Sequence, residues 1–181
     1  MILLTAGVVL WWLAHLFKRL APGPRAVAGE RGKGVIAVLI LASVVMMVFG
    51  YKAAEYVPVW DPPPALRHLN NLLMLVAFYM YAASGMKTAV TRVIRHPQLT
   101  GFAIWAVAHL LVNGDLASVI LFGGLLVWAG LSMVMINRAE PRPALPAKAP
   151  LGKEIGAVVG AVLVTGLVGA IHGWIGPNPF G

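Results

Sequence analysis

Six apolar runs, at residues 2–17, 35–50, 66–83, 97–112, 116–136 and 155–175, leave this chain one way to fold. As helices rising 1.5 Å per residue they reach about 24–32 Å, against a bilayer hydrocarbon core of about 30 Å. Hydrocarbon offers the backbone no hydrogen-bond partners, so a spanning segment must close its bonds within itself, as a helix does. Composition agrees: 60% of the residues are hydrophobic and 11% are charged, whereas a soluble domain carries about a quarter charged. The expected fold is all-α, a polytopic integral membrane bundle of about six transmembrane helices, with the lipid bilayer as its solvent.

The formal net charge of +8 raises nucleic acid as a partner, and the placement of the charges argues against it. Loops one, three and five carry Lys18, Arg19, Arg25, Arg31 and Lys33; Lys87, Arg92 and Arg95; and Arg138, Arg142, Lys148 and Lys153. The remaining loops and the two ends hold Lys52 and Arg67 alone. Twelve against two is the bias of the positive-inside rule, which puts the odd loops in the cytoplasm and both termini outside. The first run has no basic segment before it and no small-residue cleavage site after it, so it reads as a retained helix. Asp61-Pro62-Pro63-Pro64 keeps residues 51–66 out of regular helix. Asn113-Gly114-Asp115 turns the chain between the fourth and fifth runs. Residues 137–154 hold four prolines among Ala, Lys and Arg and read as an extended cytoplasmic surface linker. The expected organisation is a five-helix core over 1–136, this linker, and a sixth helix with a short outer tail over 155–181. Gly156 and Gly160, and Gly169 and Gly173, have the spacing of close helix packing.

All six carboxylates (Glu30, Glu55, Asp61, Asp115, Glu140, Glu154) fall in loops or at span ends, which argues against paired buried acids. The absence of cysteine excludes thiolate ligands and covalent haem attachment. Five histidines remain. His15 and His96 lie toward the cytoplasmic ends of their spans, and His68, His109 and His172 toward the outer ends. Each is a functional candidate, because imidazole in a bilayer is costly unless it is ligated, paired or wet. A histidine near a helix end also snorkels to headgroups or bonds a neighbouring carbonyl, and His172, beside Trp174, fits that description. His68, with Asn71 one turn on, fits a plain polar network, and His96, among basic residues, fits phosphate binding. Gln98, Phe102, Trp105, His109 and Asn113 make one semi-polar aromatic stripe on the fourth span, and Trp11 and Trp12 precede His15 by one turn. Such surroundings suit a planar ligand such as haem, and they equally suit ordinary packing.

Arg95-His96-Pro97-Gln98, Trp105-Ala106-Val107-Ala108-His109-Leu110-Leu111, Asn113-Gly114-Asp115-Leu116-Ala117-Ser118 and Leu121-Phe122-Gly123 resemble the NnrU family of bacterial membrane proteins. His15 and Arg67-His68-Leu69 match as well, so the likeness covers about residues 1–140. That family is named for an association with nitrite and nitric oxide reduction and is similar to the plant zeta-carotene isomerase, a membrane enzyme holding b-type haem between histidines. The resemblance implies His15 and His109 as axial ligands of a noncovalent haem b, with His96 and His68 at the other matching histidine positions. It departs at Ala106, where plant isomerases carry cysteine, so exchange of histidine for thiolate is closed to this chain. Depth along the helices gives other pairings. His109 is about twelve residues, or about 18 Å, into its span, which sets His15 level with His96 and His68 level with His109.

The function implied is haem-dependent cis–trans isomerisation of, or electron exchange with, an apolar polyene-like substrate. The same family name implies a second role, a non-catalytic accessory in denitrification. A third comes from Arg95-His96-Pro97-Gln98-Leu99-Thr100-Gly101, similar to the segment with which isoprenylcysteine carboxyl methyltransferases hold S-adenosylmethionine. There Leu99 replaces the usual tyrosine, and Arg138 and Glu140 are the downstream polar partners.

Overall fold

The computed structural model describes residues 1–180, so Gly181, the end of the expected outer tail, lies outside the described residues. The described chain is helical, in the order α1 (Ile2–Leu20), α2 (Pro22–Val27), α3 (Gly29–Lys52), α4 (Leu66–Met86), α5 (Val90–Val93), α6 (Pro97–Val112), α7 (Leu116–Ser118), a π-helical turn (Val119–Gly123), α8 (Gly124–Ala139) and α9 (Leu151–Ile175). The segment from α7 to α8 is one rod, Leu116–Ala139. Five helices are long and apolar enough to cross a bilayer: α1, α3, α4, the 116–139 rod and α9. The remaining expected span, the fourth, is α6, apolar but 16 residues long, about 24 Å of rise. It opens on Pro97 at its first position, where the missing N–H costs nothing. The protein is a multi-pass helical membrane protein.

The chain divides into two compact units: residues 1–61 with 114–128, and residues 62–113 with 129–181. In the first, α1 packs against α3 and lies against the π turn. In the second, α4 packs against both α6 and α9. Large apolar side chains such as Val38, Leu41 and Phe49 of α3 and Val158, Leu163 and Leu167 of α9 are exposed, the surface that lipid solvates.

Helices approach most closely at glycine. A Cβ on Gly50 would collide with the Leu4 amide nitrogen, so α3 meets α1 backbone to backbone there. A Cβ on Gly101 would stand 2.8 Å from the carbonyl oxygen of Ala77, so α6 meets α4 in the same way. On α9, by contrast, Gly160 has nothing within 4 Å of a Cβ, and Gly156 approaches only the flexible end of Met86. The residues of α9 that are buried are Ala157, Ala161 and Gly169.

The helix ends differ from those the apolar runs suggest. α3 begins at Gly29, six residues before the apolar run, and α2 occupies part of the basic loop expected to be irregular. Glu30 in the first turn of α3, bonded to Lys33 at 2.7 Å, carries the helix beyond its apolar part. Residues 140–150 are irregular and mostly exposed, as the prolines require.

Gly50→Ala and Gly101→Ala are expected to destabilise by about 1–3 kcal/mol each, the usual cost of overfilling a close contact. Gly160→Ala is expected to change stability by less than about 0.5 kcal/mol. Thermal unfolding in one detergent tests all three, and a Gly160→Ala loss equal to that of Gly50→Ala would contradict the assignment.

Candidate functional site

The histidines of α1 and α6 are built alike. His15 directs Nδ1 at the carbonyl oxygen of Trp11, one turn back, at 2.9 Å. His109 directs Nδ1 at the carbonyl oxygen of Trp105, also one turn back and also at 2.9 Å. A carbonyl only accepts, so Nδ1 is the donor in both rings, and the neutral imidazole carries its lone pair on Nε2. The tryptophan supplying the carbonyl also covers its histidine: the ring centroids are 4.0 Å apart for Trp11 and His15 and 5.0 Å apart for Trp105 and His109. The spacing is what brings them together, since side chains four residues apart share a helix face.

Each pair is then held by its own unit. Trp128 of α8 stands edge-on to His15 at 4.8 Å and to Trp11 at 5.3 Å. The indole of Trp12 donates to the carbonyl oxygen of Gly124 at 3.1 Å, tying α1 to the rod just past the π turn. In the other unit, Phe102 packs on Trp105 at 5.1 Å, and the Asn113 amide donates to the His109 carbonyl oxygen at 2.8 Å. The stripe on α6 is thus a contiguous aromatic and polar face. His172 sits near the end of α9. Its own Nδ1 donates to Pro177 at 2.8 Å on an exposed surface.

The other two candidates sit differently. His96 is the N-cap residue of α6, and its Nε2 is 2.9 Å from the side-chain oxygen of Asn137. This histidine bonds through Nε2, whereas the carbonyl bonds of His15 and His109 are made through Nδ1. His68 is exposed in the first turn of α4. The neighbouring amides form a network without it, Asn70 donating to Asn71 at 3.1 Å and Asn71 to the carbonyl oxygen of Pro179 at 2.9 Å. Arg95 donates to the backbone carbonyls of Glu140 and Pro141 at 2.8 and 3.1 Å. The 95–98 segment therefore does meet the 137–141 stretch, through Asn137 and main chain.

The Asn113-Gly114-Asp115 turn has a structural role. Asp115 caps α7, accepting from the Ser118 amide at 2.9 Å and from its hydroxyl at 2.6 Å. Ser118 is fully buried, and its oxygen is 2.8 Å from the Tyr51 hydroxyl. With the serine proton committed to the carboxylate, Tyr51 is the donor, giving a chain from Tyr51 through Ser118 to Asp115. The 57–60 loop is pinned to the same turn: Leu116 donates to Val57 at 2.9 Å, and Val59 and Trp60 donate to Gly114 at 2.7 and 3.0 Å.

A porphyrin iron brings four nitrogens of its own and asks the protein for one or two. Axial histidines almost always donate the other ring N–H to a carbonyl, carboxylate or water, which fixes the tautomer and raises basicity. His15 and His109 each meet that requirement within their own unit, so each imidazole by itself fits a haem ligand. Among the described residues no group of three or more His, Cys, Asp or Glu is placed to hold a bare metal ion.

The family model described as NnrU protein matches residues 3–179. The chain belongs to the NnrU family. The match runs through α9, beyond the 1–140 stretch on which the sequence likeness rests, so the sixth helix of this NnrU chain is part of the family pattern. No curated protein and no solved structure matches it.

Trp128 and Asn137 are the site residues that sequence reasoning did not single out; each lies on α8, far in sequence from the histidine it touches. Ser118→Ala strips partners from both Tyr51 and Asp115 and is expected to cost about 1–3 kcal/mol, with Tyr51→Phe nearer 1 kcal/mol. Melting of the two variants in the same detergent checks the order, and equal, negligible losses would contradict a buried chain.

Proposed function

We propose that this NnrU-family membrane protein holds a noncovalent b-type haem through His15 and His109. Its proposed activity is redox-linked cis–trans isomerisation of, or electron exchange with, an apolar polyene-like molecule. The observation that carries the reading is the twice-built Trp-x-x-x-His turn, in which the carbonyl of the tryptophan takes Nδ1–H and the lone pair falls on Nε2. Haem, when bound, supplies one-electron chemistry that side chains lack. The chain's own work is to orient the two imidazoles, flank them with indole faces and keep water away with apolar helices. A substrate of low polarity follows from the same surroundings, since the spans offer no carboxylate to pair with a charged one. A bacterial inner-membrane location is part of this proposal, and the distribution of Lys and Arg supports an orientation with both termini outside.

Protein purified from haem-replete cells is expected to show a Soret band. His15→Ala and His109→Ala should each lose most of that absorbance per protein. His96→Ala, whose Nε2 is occupied by Asn137, should keep it. A folded but colourless wild-type protein would overturn the proposal, as would a band that survives both His15→Ala and His109→Ala.

A further inference from the structure

The linker expected to run extended over the surface is stapled to the α5 segment. Arg142 donates to the carbonyl oxygens of Arg92 and Val93, both at 3.0 Å. Arg95 donates to Glu140 and Pro141, and Arg92 donates to Pro146. The arginines of the α5 segment thus bind linker carbonyls, and a linker arginine binds α5 carbonyls in return. Glu154, at the start of α9, accepts from the Ala89 amide at 2.7 Å and closes the same assembly.

These bonds satisfy donors without supplying countercharge. A guanidinium stays charged at any relevant pH, and a carbonyl is neutral. Residues 86–95 and 138–154 carry seven cationic side chains (Lys87, Arg92, Arg95, Arg138, Arg142, Lys148, Lys153) and two carboxylates (Glu140, Glu154), so 7 − 2 = +5 of the chain's +8 lies here. Between α5 and the approach to α9 is a cavity of about 350 Å³ lined by Ala89, Arg92, Val93, Lys148, Ala149 and Glu154. Two cations face it against one carboxylate, and that carboxylate is already bonded to the cavity's own wall. α4 ends at Met86 and α9 begins at Leu151 beside it, which sets the cavity at headgroup depth whichever side of the membrane it faces. The remaining walls are Ala89, Val93 and Ala149, and Val93 is exposed.

We propose that this cavity binds a phosphate-bearing anion, the headgroup of an anionic phospholipid, through Arg92 and Lys148. Apolar walls beside paired cations match a molecule with a charged head and a greasy body. Clustered basic residues at this depth attract anionic headgroups. The site is independent of the histidines and stands or falls separately from haem binding.

The test uses the full-length protein in a neutral detergent, with lipid retention read by native mass spectrometry and stability by thermal unfolding. Phosphatidylglycerol is expected to be retained and to raise the melting temperature, and phosphatidylcholine is not. Lys148 makes none of the stapling bonds, so Lys148→Gln should leave the fold intact and weaken phosphatidylglycerol binding about fivefold. Lys148→Glu should weaken it further. Binding should also fall in 0.5 M salt, as headgroup attraction is screened. Inorganic phosphate is the separating arm. If it binds alone and phosphatidylglycerol adds nothing, the anion site holds and its occupant is free phosphate rather than lipid. Equal retention of both lipids together with no response to inorganic phosphate, or unchanged binding in Lys148→Glu, would overturn the proposal.

Discussion

A polar group inside hydrocarbon must find its partner within the protein, and in this chain the partner is usually a helix carbonyl. Ser43 donates to Ile40 at 2.6 Å and Thr165 to Ala161 at 2.7 Å, each on its own helix. The Nδ1 atoms of His15 and His109 follow the same rule. For serine and threonine that bond satisfies the one donor present, and the account is complete. For histidine it satisfies one ring nitrogen and sets the tautomer of the other. The constraint that makes buried polar groups tolerable in a bilayer therefore also produces a ligand-type imidazole. The structural and functional explanations of these histidines share a first step and diverge at Nε2.

The second consequence of the bilayer is that helices associate by close packing, without a hydrophobic drive between them. α3 uses Gly50 to reach the α1 backbone, and α6 uses Gly101 to reach α4. Those contacts fix the helices that bear His15 and His109 within their respective units. The π turn at Val119–Gly123 adds to this on α1, because the Gly124 carbonyl just beyond it takes the Trp12 indole N–H. Trp12 neighbours Trp11, so the bond also steadies the turn that carries His15.

Much of this was legible in the sequence because hydropathy is a local signal. The six apolar runs correspond to the observed helices, Pro97 marks the start of α6, and the Trp105–His109 and Trp11–His15 spacings place those rings on common faces. What was not legible depends on partners distant in sequence or on main chain. The arginine staples of residues 140–150 end on carbonyls, which every residue possesses and no motif marks. Trp128 against His15 and Asn137 against His96 arise from tertiary approach alone. The Gly156 and Gly160 spacing misdirects, since spacing reports which residues share a face and not whether another helix comes near it. The early start of α3 was hidden because its extension is stabilised by charge, by Glu30 and Lys33, where hydropathy falls.

The carboxylates complete the argument about chemistry. Three of the six have defined structural duties: Glu30 pairs with Lys33, Asp115 caps α7 and anchors Ser118, and Glu154 receives the Ala89 amide. An acid whose oxygens already accept from an amide or an ammonium has a structural duty and is poorly placed to shuttle a proton. Glu55, Asp61 and Glu140 are exposed, away from any span interior. Acid–base chemistry within the membrane would thus rest on imidazoles, and those of α1 and α6 have already given Nδ1–H to the backbone. A histidine so arranged acts through Nε2 alone, as a lone-pair donor or as the base for a single proton, and does not relay a proton between its two nitrogens while Nδ1–H stays on the carbonyl.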